Sequence, residues 1–235
     1  MAISQKYGRT YHYPFSPGTT SDDRIAHDYW EHLQHIPNLI HTEKLDGENN
    51  CLSKLGVFAR SHAAPTTSAW TESLRRFWQL VKHDLGDLEI FGENLYAIHS
   101  IEYRKLEHHY YVFGIREHDR WLSWEETRFY ADMLDLPTVP IVKKEETPKE
   151  QQQFETEMLA LVNGAGAFEP YDVHDKTATT MEGIVSRNAD RYSVDTFAQN
   201  VFKYVRKGHV KTDEHWTRNW KRAALINEGG KYVGI

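Results

Sequence analysis

The sequence predicts an α+β fold, and three observations carry that expectation. The first is a set of short runs rich in β-branched and aromatic residues: NCLSKLGVFAR (50–60), LEIFGENL (88–95), YYVFGIRE (110–117), GIVSRN (183–188) and NVFKYVR (200–206). Most are bounded by Gly, Asp or Asn, as strands are. The second is that helix-period segments lie between them at irregular intervals. That pattern lacks the strict alternation of a doubly wound parallel sheet. The third is a 40% hydrophobic, 13% aromatic composition, enough for a packed core in 235 residues.

The elements follow in chain order. The opening YGRTYHYPFSPGTTSDDR is rich in turn formers and aromatics and reads as an irregular or extended lead-in. A helix is expected from Arg24 to His35, with Tyr29, Trp30 and Leu33 on one face. In 70–85 the residues Trp70, Leu74, Phe77, Trp78 and Val81 form an amphipathic stripe. Ser123 and Glu126 make a capping box for a helix running towards Leu134. Thr147 to Glu150 reads as a second box with Pro148 at the first helical position. Its helix carries Phe154, Met158, Leu161 and Val162 and stops at Gly164. Residues 163–180 read as a long loop within one domain. Trp216, Trp220 and Ala223 share one face of an expected helix whose other face carries Arg218, Lys221 and Arg222. The expected organisation is one domain over 1–235: lead-in and helix (1–40), core (41–206) and a short basic helical tail (207–235).

Composition narrows the function. A net charge of −6 argues against a globally basic nucleic-acid binder and leaves room for a local basic groove. The single cysteine, Cys51, excludes an internal disulfide and a cysteine-based zinc site. It reads as a buried small hydrophobe at the start of a β run. The histidines show no ligand spacing: His108 and His109 are adjacent, so on a strand they face opposite sides. No apolar core run marks the N-terminus as a signal peptide, and no stretch approaches the ~18 apolar residues of a membrane span. A cytoplasmic setting without membrane contact is the expectation.

The stretch HTEKLDGENN (41–50) holds the chemistry. Alone, a lysine two residues before Asp-Gly is a charged turn. A lysine nucleophile needs more: influences that favour the free amine, whose ordinary pKa is near 10.4, and groups to hold its electrophile. If that electrophile is a nucleotide phosphate, cations must meet the phosphate oxygens, acids must hold a metal, and a surface must stack the base. Such residues recur downstream on strand-like runs: Arg60 in FARS, Glu93 in FGEN, Phe113 in YYVFGIRE, Glu182 in MEGIVSR and Lys203 in VFKYV.

This ordered set resembles the covalent nucleotidyltransferase superfamily of RNA ligases, DNA ligases and mRNA-capping enzymes. It is most similar to ATP-dependent RNA ligases of the nick-sealing type, and EKLDGxN resembles their nucleophile motif, with Glu43 before the lysine and Asn49 after the glycine. The resemblance spans about 41–206. It implies a nucleotidyltransferase domain of two mainly antiparallel sheets with flanking helices and an ATP cleft between them; the stretch after residue 206 is too short for the OB domain that DNA ligases and capping enzymes carry, so none is expected. It also implies ATP and Mg²⁺ or Mn²⁺ as cofactors, and RNA with 5′-phosphate and 3′-hydroxyl ends as partner. Lys44 is then the nucleophile that forms lysyl–AMP. Arg60 and Glu93 hold the ribose, Phe113 stacks on adenine, Glu182 helps place the metal, and Asp46 fixes the turn near it. Lys203 neutralises the α-phosphate and depresses the pKa of Lys44. Asn49 contacts the phosphate or the RNA end, and Glu43 belongs to the nucleotide-binding set.

One departure is that the family's last motif usually has a second lysine where Val205 stands; Arg206 and Lys207 are neighbours. Arg9 of the lead-in is a candidate for the outer phosphates, with a structural lead-in as the other reading. Two rivals stay open: a same-fold adenylyltransferase acting on a DNA nick or a protein, and a non-catalytic ATP- or RNA-binding module.

Overall fold

In the computed structural model, residues 5–208 and 219–228 are described. Their strands are β1 (Tyr11–His12), β2 (Asn38–Lys44), β3 (Glu48–Ser53), β4 (Gly56–Ala59), β5 (Leu88–Asn94), β6 (Ile101–Tyr103) and β7 (Tyr110–Glu117), then β8 (Arg120–Trp121), β9 (Ile141–Glu146), β10 (Pro170–Asp172), β11 (Thr177–Ala178), β12 (Gly183–Asn188), β13 (Tyr192–Ser193) and β14 (Val201–Val205). The helices are α1 (Tyr29–Leu33), α2 (Glu72–Val81), α3 (Trp124–Met133), α4 (Gln151–Val162) and α5 (Phe197–Asn200). One large sheet has the order β1-β14-β12-β2-β9, the other β13-β8-β7-β5-β3-β4, and a small sheet has the order β11-β10-β6. Among the described pairings of one strand with another, only β1 with β14 is parallel. The α+β expectation of mainly antiparallel sheets therefore describes this chain, with a third small sheet added.

Alternation along the strands sorts the core into layers. Ile184, Phe202 and Tyr204 face outward from the first sheet and pack with Tyr29 and Leu33 of α1 and Phe154 and Met158 of α4. Leu52, Ile90 and Val112 face outward from the second sheet and meet Leu74 of α2 and Ala131 of α3. The inner faces join through Ile40 and Val201 from one sheet and Cys51, Phe91 and Phe113 from the other. Cys51 is fully buried, as its place at the start of a β run anticipated. No helix among the described residues is long and apolar enough to cross a membrane.

Several expectations are corrected. The run 50–60 is a hairpin, β3 and β4, turning at Lys54-Leu55, so Arg60 follows β4 and not the strand that begins after the Asp-Gly turn. The helix expected over 24–35 is only α1, because the backbone of Arg24 and Ala26 is spent on His12. The Ser123 capping box is present. The Thr147 box is not: its hydroxyl donates to Ile36 O (2.7 Å), and α4 starts later, after Glu150, without a side-chain cap. Residues 163–180 contain the β10–β11 hairpin rather than a plain loop. In the tail, Ala223 N–H donates to Tyr96 O and Lys221 O accepts from Ile98 N–H, so this stretch is extended and not helical; Trp216 and Arg218 lie outside the described residues.

Two of the longer strands lie outside the runs that the sequence marks. β9 (IVKKEE) is polar because it is the sheet's edge. β2 (NLIHTEK) is central, and both its faces are covered: His41, Thr42 and Glu43 are each at most 3% exposed. His41 stays there by bonding Ser186 Oγ and Glu145 Oε1, both at 2.7 Å. Buried polar groups with partners are tolerated, and they erase the apolar pattern.

Candidate active site

The Asp-Gly turn carries the chain from β2 in one sheet to β3 in the other, so Lys44 sits where the sheets meet. Gly47 is required by space: a Cβ there would lie 2.6 Å from Asn94 O and 2.7 Å from Leu95 Cδ2. Asp46 caps the turn from within. Its Oδ2 accepts from the N–H groups of Ser100 (2.8 Å) and Ile101 (2.9 Å), and Tyr103 OH accepts from its own N–H.

A cavity of about 530 Å³ opens above Lys44. Glu43, Lys44, Asn49, Arg60, Glu93, Phe113 and Lys203 all line it. Residues from five separate stretches of sequence thus share one space. Glu182 touches it through Lys44, whose Nζ donates to both carboxylate oxygens at 2.7 Å. Register explains this: Lys44 pairs with Gly183, so the residue before β12 comes alongside the end of β2. Arg60 stands exposed at the rim. Asn49 and Glu93 are cross-strand partners, and Glu93 Oε1 accepts from Gly47 N–H (3.1 Å). Arg9 is not at the cavity; its guanidinium donates to Asp22 O (2.6 Å).

The electrostatics correct one expectation. Burial alone would lower the pKa of Lys44, but Glu182, Glu93 and Asp46 outweigh it and hold the ammonium above its ordinary value. The lysine pushed down is Lys203, first by burial and then by Lys44, against the pull of Asp23. The acids carry the strain of the site. Burial lifts Glu43 to about 7. Burial lifts Glu93 to about 8, with Lys44 opposing and Glu182 and Asp46 reinforcing.

These shifts fix a pH dependence. A carboxyl raised in the fold binds its proton more tightly there than in the unfolded chain, so stability falls as pH climbs from about 6.5, above which the lowered His12 no longer opposes the carboxyls, to about 8. Thermal melts without nucleotide are expected to show a falling midpoint over this window, and Glu93→Gln to flatten the fall. An unchanged slope in the variant would remove Glu93 as its source.

Several residues of the site were not anticipated. Tyr7 and Thr10 of the lead-in, His99 and Arg187 all line the cavity. Tyr7 packs edge-on against Phe113 (5.2 Å) and also meets Phe91, Trp121 and Phe197. Arg187 is 7% exposed, donates to Phe113 O and Thr42 Oγ1, and lies 5.8 Å from the centre of the Phe113 ring. Only the register reveals it: Val185 pairs with Lys203, and two residues on Arg187 shares that face. Nothing in the sequence singles out Tyr7.

Among the described residues, no three His, Cys, Asp or Glu side chains are placed to share a metal ion. The acids beside Lys44 still suit a hard cation, since the charges of Glu182 and Asp46 both press on Glu93, and that of Glu182 presses on Asp46. With so few protein ligands, a divalent ion fits here in company with phosphate oxygens, the usual magnesium arrangement.

Two antiparallel sheets closing over a lysine-and-acid cavity make the architecture of a nucleotidyltransferase domain. The chain belongs to the RNA ligase family, whose model matches residues 37–205. Among solved structures, it is similar to a mutant Naegleria gruberi RNA ligase with ATP and Mn at a TM-score of 0.56 and 18% identity, covering 88% of this chain and 57% of that one. The same ligase with PPi gives 0.55 and 17%, over 88% and 62% of the two chains. An archaeal ATP-dependent RNA ligase gives 0.50 and 15%, over 86% and 48%. The chain thus spans roughly half to three fifths of the length of these relatives. No curated protein sequence matches it.

Proposed function

We propose that this protein is an ATP-dependent RNA ligase that joins 5′-phosphate and 3′-hydroxyl RNA ends through a lysyl–AMP intermediate. The observation that carries the reading is the convergence of Lys44, its acid partner Glu182 and the cations Arg60 and Lys203 on one nucleotide-sized cavity, in a chain of the RNA ligase family.

In this reading Lys44 Nζ attacks the α-phosphate of ATP. The bond to the β-phosphate oxygen breaks, and pyrophosphate leaves with its electron pair. The attacking amine must first lose a proton to solvent, which Glu182, at 2.7 Å, opposes while it pairs with the ammonium. Once Glu182 is drawn away from Lys44, burial and the neighbouring Lys203 act in favour of the free amine. A Mg²⁺ or Mn²⁺ ion held by Glu182 and phosphate oxygens would supply charge neutralisation at the phosphates. Phe113 offers an aromatic surface for adenine, and Arg60, Glu93, Glu43 and Asn49 offer polar groups for the ribose and phosphate. The AMP then passes to an RNA 5′-phosphate, and a 3′-hydroxyl displaces it. The ring of cations suits a polyphosphate in a way that the chain's net charge of −6 conceals. The setting proposed is cytoplasmic, in keeping with one buried, unpaired cysteine.

Sealing of nicked duplexes tests the acceptor. Duplexes with the nick in an RNA strand are expected to be joined with ATP and Mg²⁺, and all-DNA duplexes to be joined poorly. Preferential joining of DNA would move the reading to the DNA-acting alternative. AMP capture with no joining of either would point to a protein acceptor.

A further inference from the structure

The lead-in folds back on the sheet edge that carries Lys203. β1 runs parallel to β14, with His12 opposite Lys203. His12 N–H donates to Arg24 O, and His12 O accepts from Ala26 N–H, which closes residues 13–23 into a loop. Gly18 N–H donates to Val205 O (2.9 Å), and Val205 N–H donates to Ser16 Oγ (2.9 Å), so the loop is tied to β14 beyond Lys203 as well. The loop presents Asp23 to the lysine. Asp23 Oδ2 accepts from Thr20 N–H and Oγ1–H, both at 3.0 Å. Its Oδ1 accepts from Lys203 Nζ (3.3 Å) and lies 3.1 Å from His12 Nε2.

The surroundings of Lys203 explain why it needs this partner. Lys44 and Arg60 line the same cavity, and both disfavour its charge. Three cations converging on one space suit a polyphosphate, but without one they repel each other. Asp23 lies behind Lys203 and outside the cavity lining, where it counters that repulsion without facing an incoming phosphate. His12, buried and kept neutral with its pKa lowered to about 4, packs against the pair without adding charge.

We propose that Asp23 is a positioning residue that holds the Lys203 ammonium at the cavity wall for the adenylyl-transfer step. The lead-in thereby contributes to the active site through Asp23, and Arg9 serves the loop by binding Asp22 O. The inference rests on the phosphate role of Lys203 in the ligase reading.

Two measurements separate it from that reading. Single-turnover AMP capture is expected to slow about tenfold or more in Asp23→Asn, the scale of a misplaced catalytic group. The ATP concentration for half-saturation should change less than about threefold, because the adenosine contacts are intact, and Asp23→Glu should restore most of the rate. A wild-type rate in Asp23→Asn, or a loss equal in Asp23→Glu and accompanied by a lower melting temperature, would overturn the proposal. The second measurement needs no ATP chemistry: competitive acylation of Lys203, mapped by mass spectrometry near neutral pH. Losing Asp23 removes the group that favours the ammonium against burial, Lys44 and Arg60. Lys203 should therefore label several-fold faster in Asp23→Asn, while unchanged labelling rejects the clamp. If wild type captures no AMP, the ligase reading fails and the labelling result still decides on Asp23.

Discussion

Lys44→Ala is expected to abolish AMP capture, with the rate reduced by about 10⁴-fold or more, the scale on which deleting a covalent nucleophile acts. Intact masses after incubation with ATP and Mg²⁺, without RNA, read this directly: wild type gains one adenylyl group and the variant none. Alanine also leaves the 3%-exposed Glu182 carboxylate without its cation, so a folding defect could imitate the result. Lys44→Arg resolves this. The guanidinium can still pair with Glu182 but does not deprotonate, so it offers no nucleophile. The expected outcome is a melting temperature close to wild type and no adduct. The wild-type rate should also rise as pH climbs through neutrality towards about 9. The amine reacts only when free, and its carboxylate neighbours hold its pKa above the ordinary value. If wild type gains no mass with Mg²⁺ or Mn²⁺, the ligase reading loses its first step and a binding module takes its place.

Arg116→Met is expected to be the most damaging substitution away from the cavity. Arg116 is 1% exposed and lies in the middle of the aromatic layer. Its Nε donates to Glu89 Oε2 (2.8 Å), its Nη2 donates to Gln5 O, and the guanidinium stands 5.1 Å from the centre of Phe91 and 5.4 Å from that of Trp121. Methionine fills similar volume but leaves Glu89, 18% exposed, without its cation. Breaking a buried pair from one side costs about 3–5 kcal/mol. In a domain of this size that corresponds to a fall of roughly 10 °C in melting temperature. Arg120→Met, four residues on and exposed, is the control and should shift stability by less than about 0.5 kcal/mol. Equal effects at the two positions would mean that the buried pair contributes nothing special.

The two substitutions mark the line between what could be read early and what could not. Lys44, Arg60, Glu93, Phe113, Glu182 and Lys203 were legible because each belongs to a short motif and the motifs keep one order along the chain. Arg116 looked like an ordinary charge at the end of YYVFGIRE, and only its neighbours show it buried. Arg187 was hidden in the same way. β2 escaped notice although it carries Lys44, because its buried His41 and Glu43 break the apolar pattern and find their partners on β12, β9 and Ala167.

The order of residues was enough to specify five strand-bearing runs, the helices α2, α3 and α4, the Ser123 capping box, the α+β class and the set of chemically capable residues. These depend on spacing over a few residues, which local sterics and hydrogen bonding translate directly into structure. Folding in three dimensions settled the rest: which charges are buried, which carboxylate holds which lysine, and that the lead-in closes over β14 to bring Asp23 to Lys203. Those outcomes depend on register between strands more than a hundred residues apart. In the folded site, burial and neighbouring charge oppose each other, and their balance lowered Lys203 and raised Lys44, where the resemblance had implied a lowered Lys44.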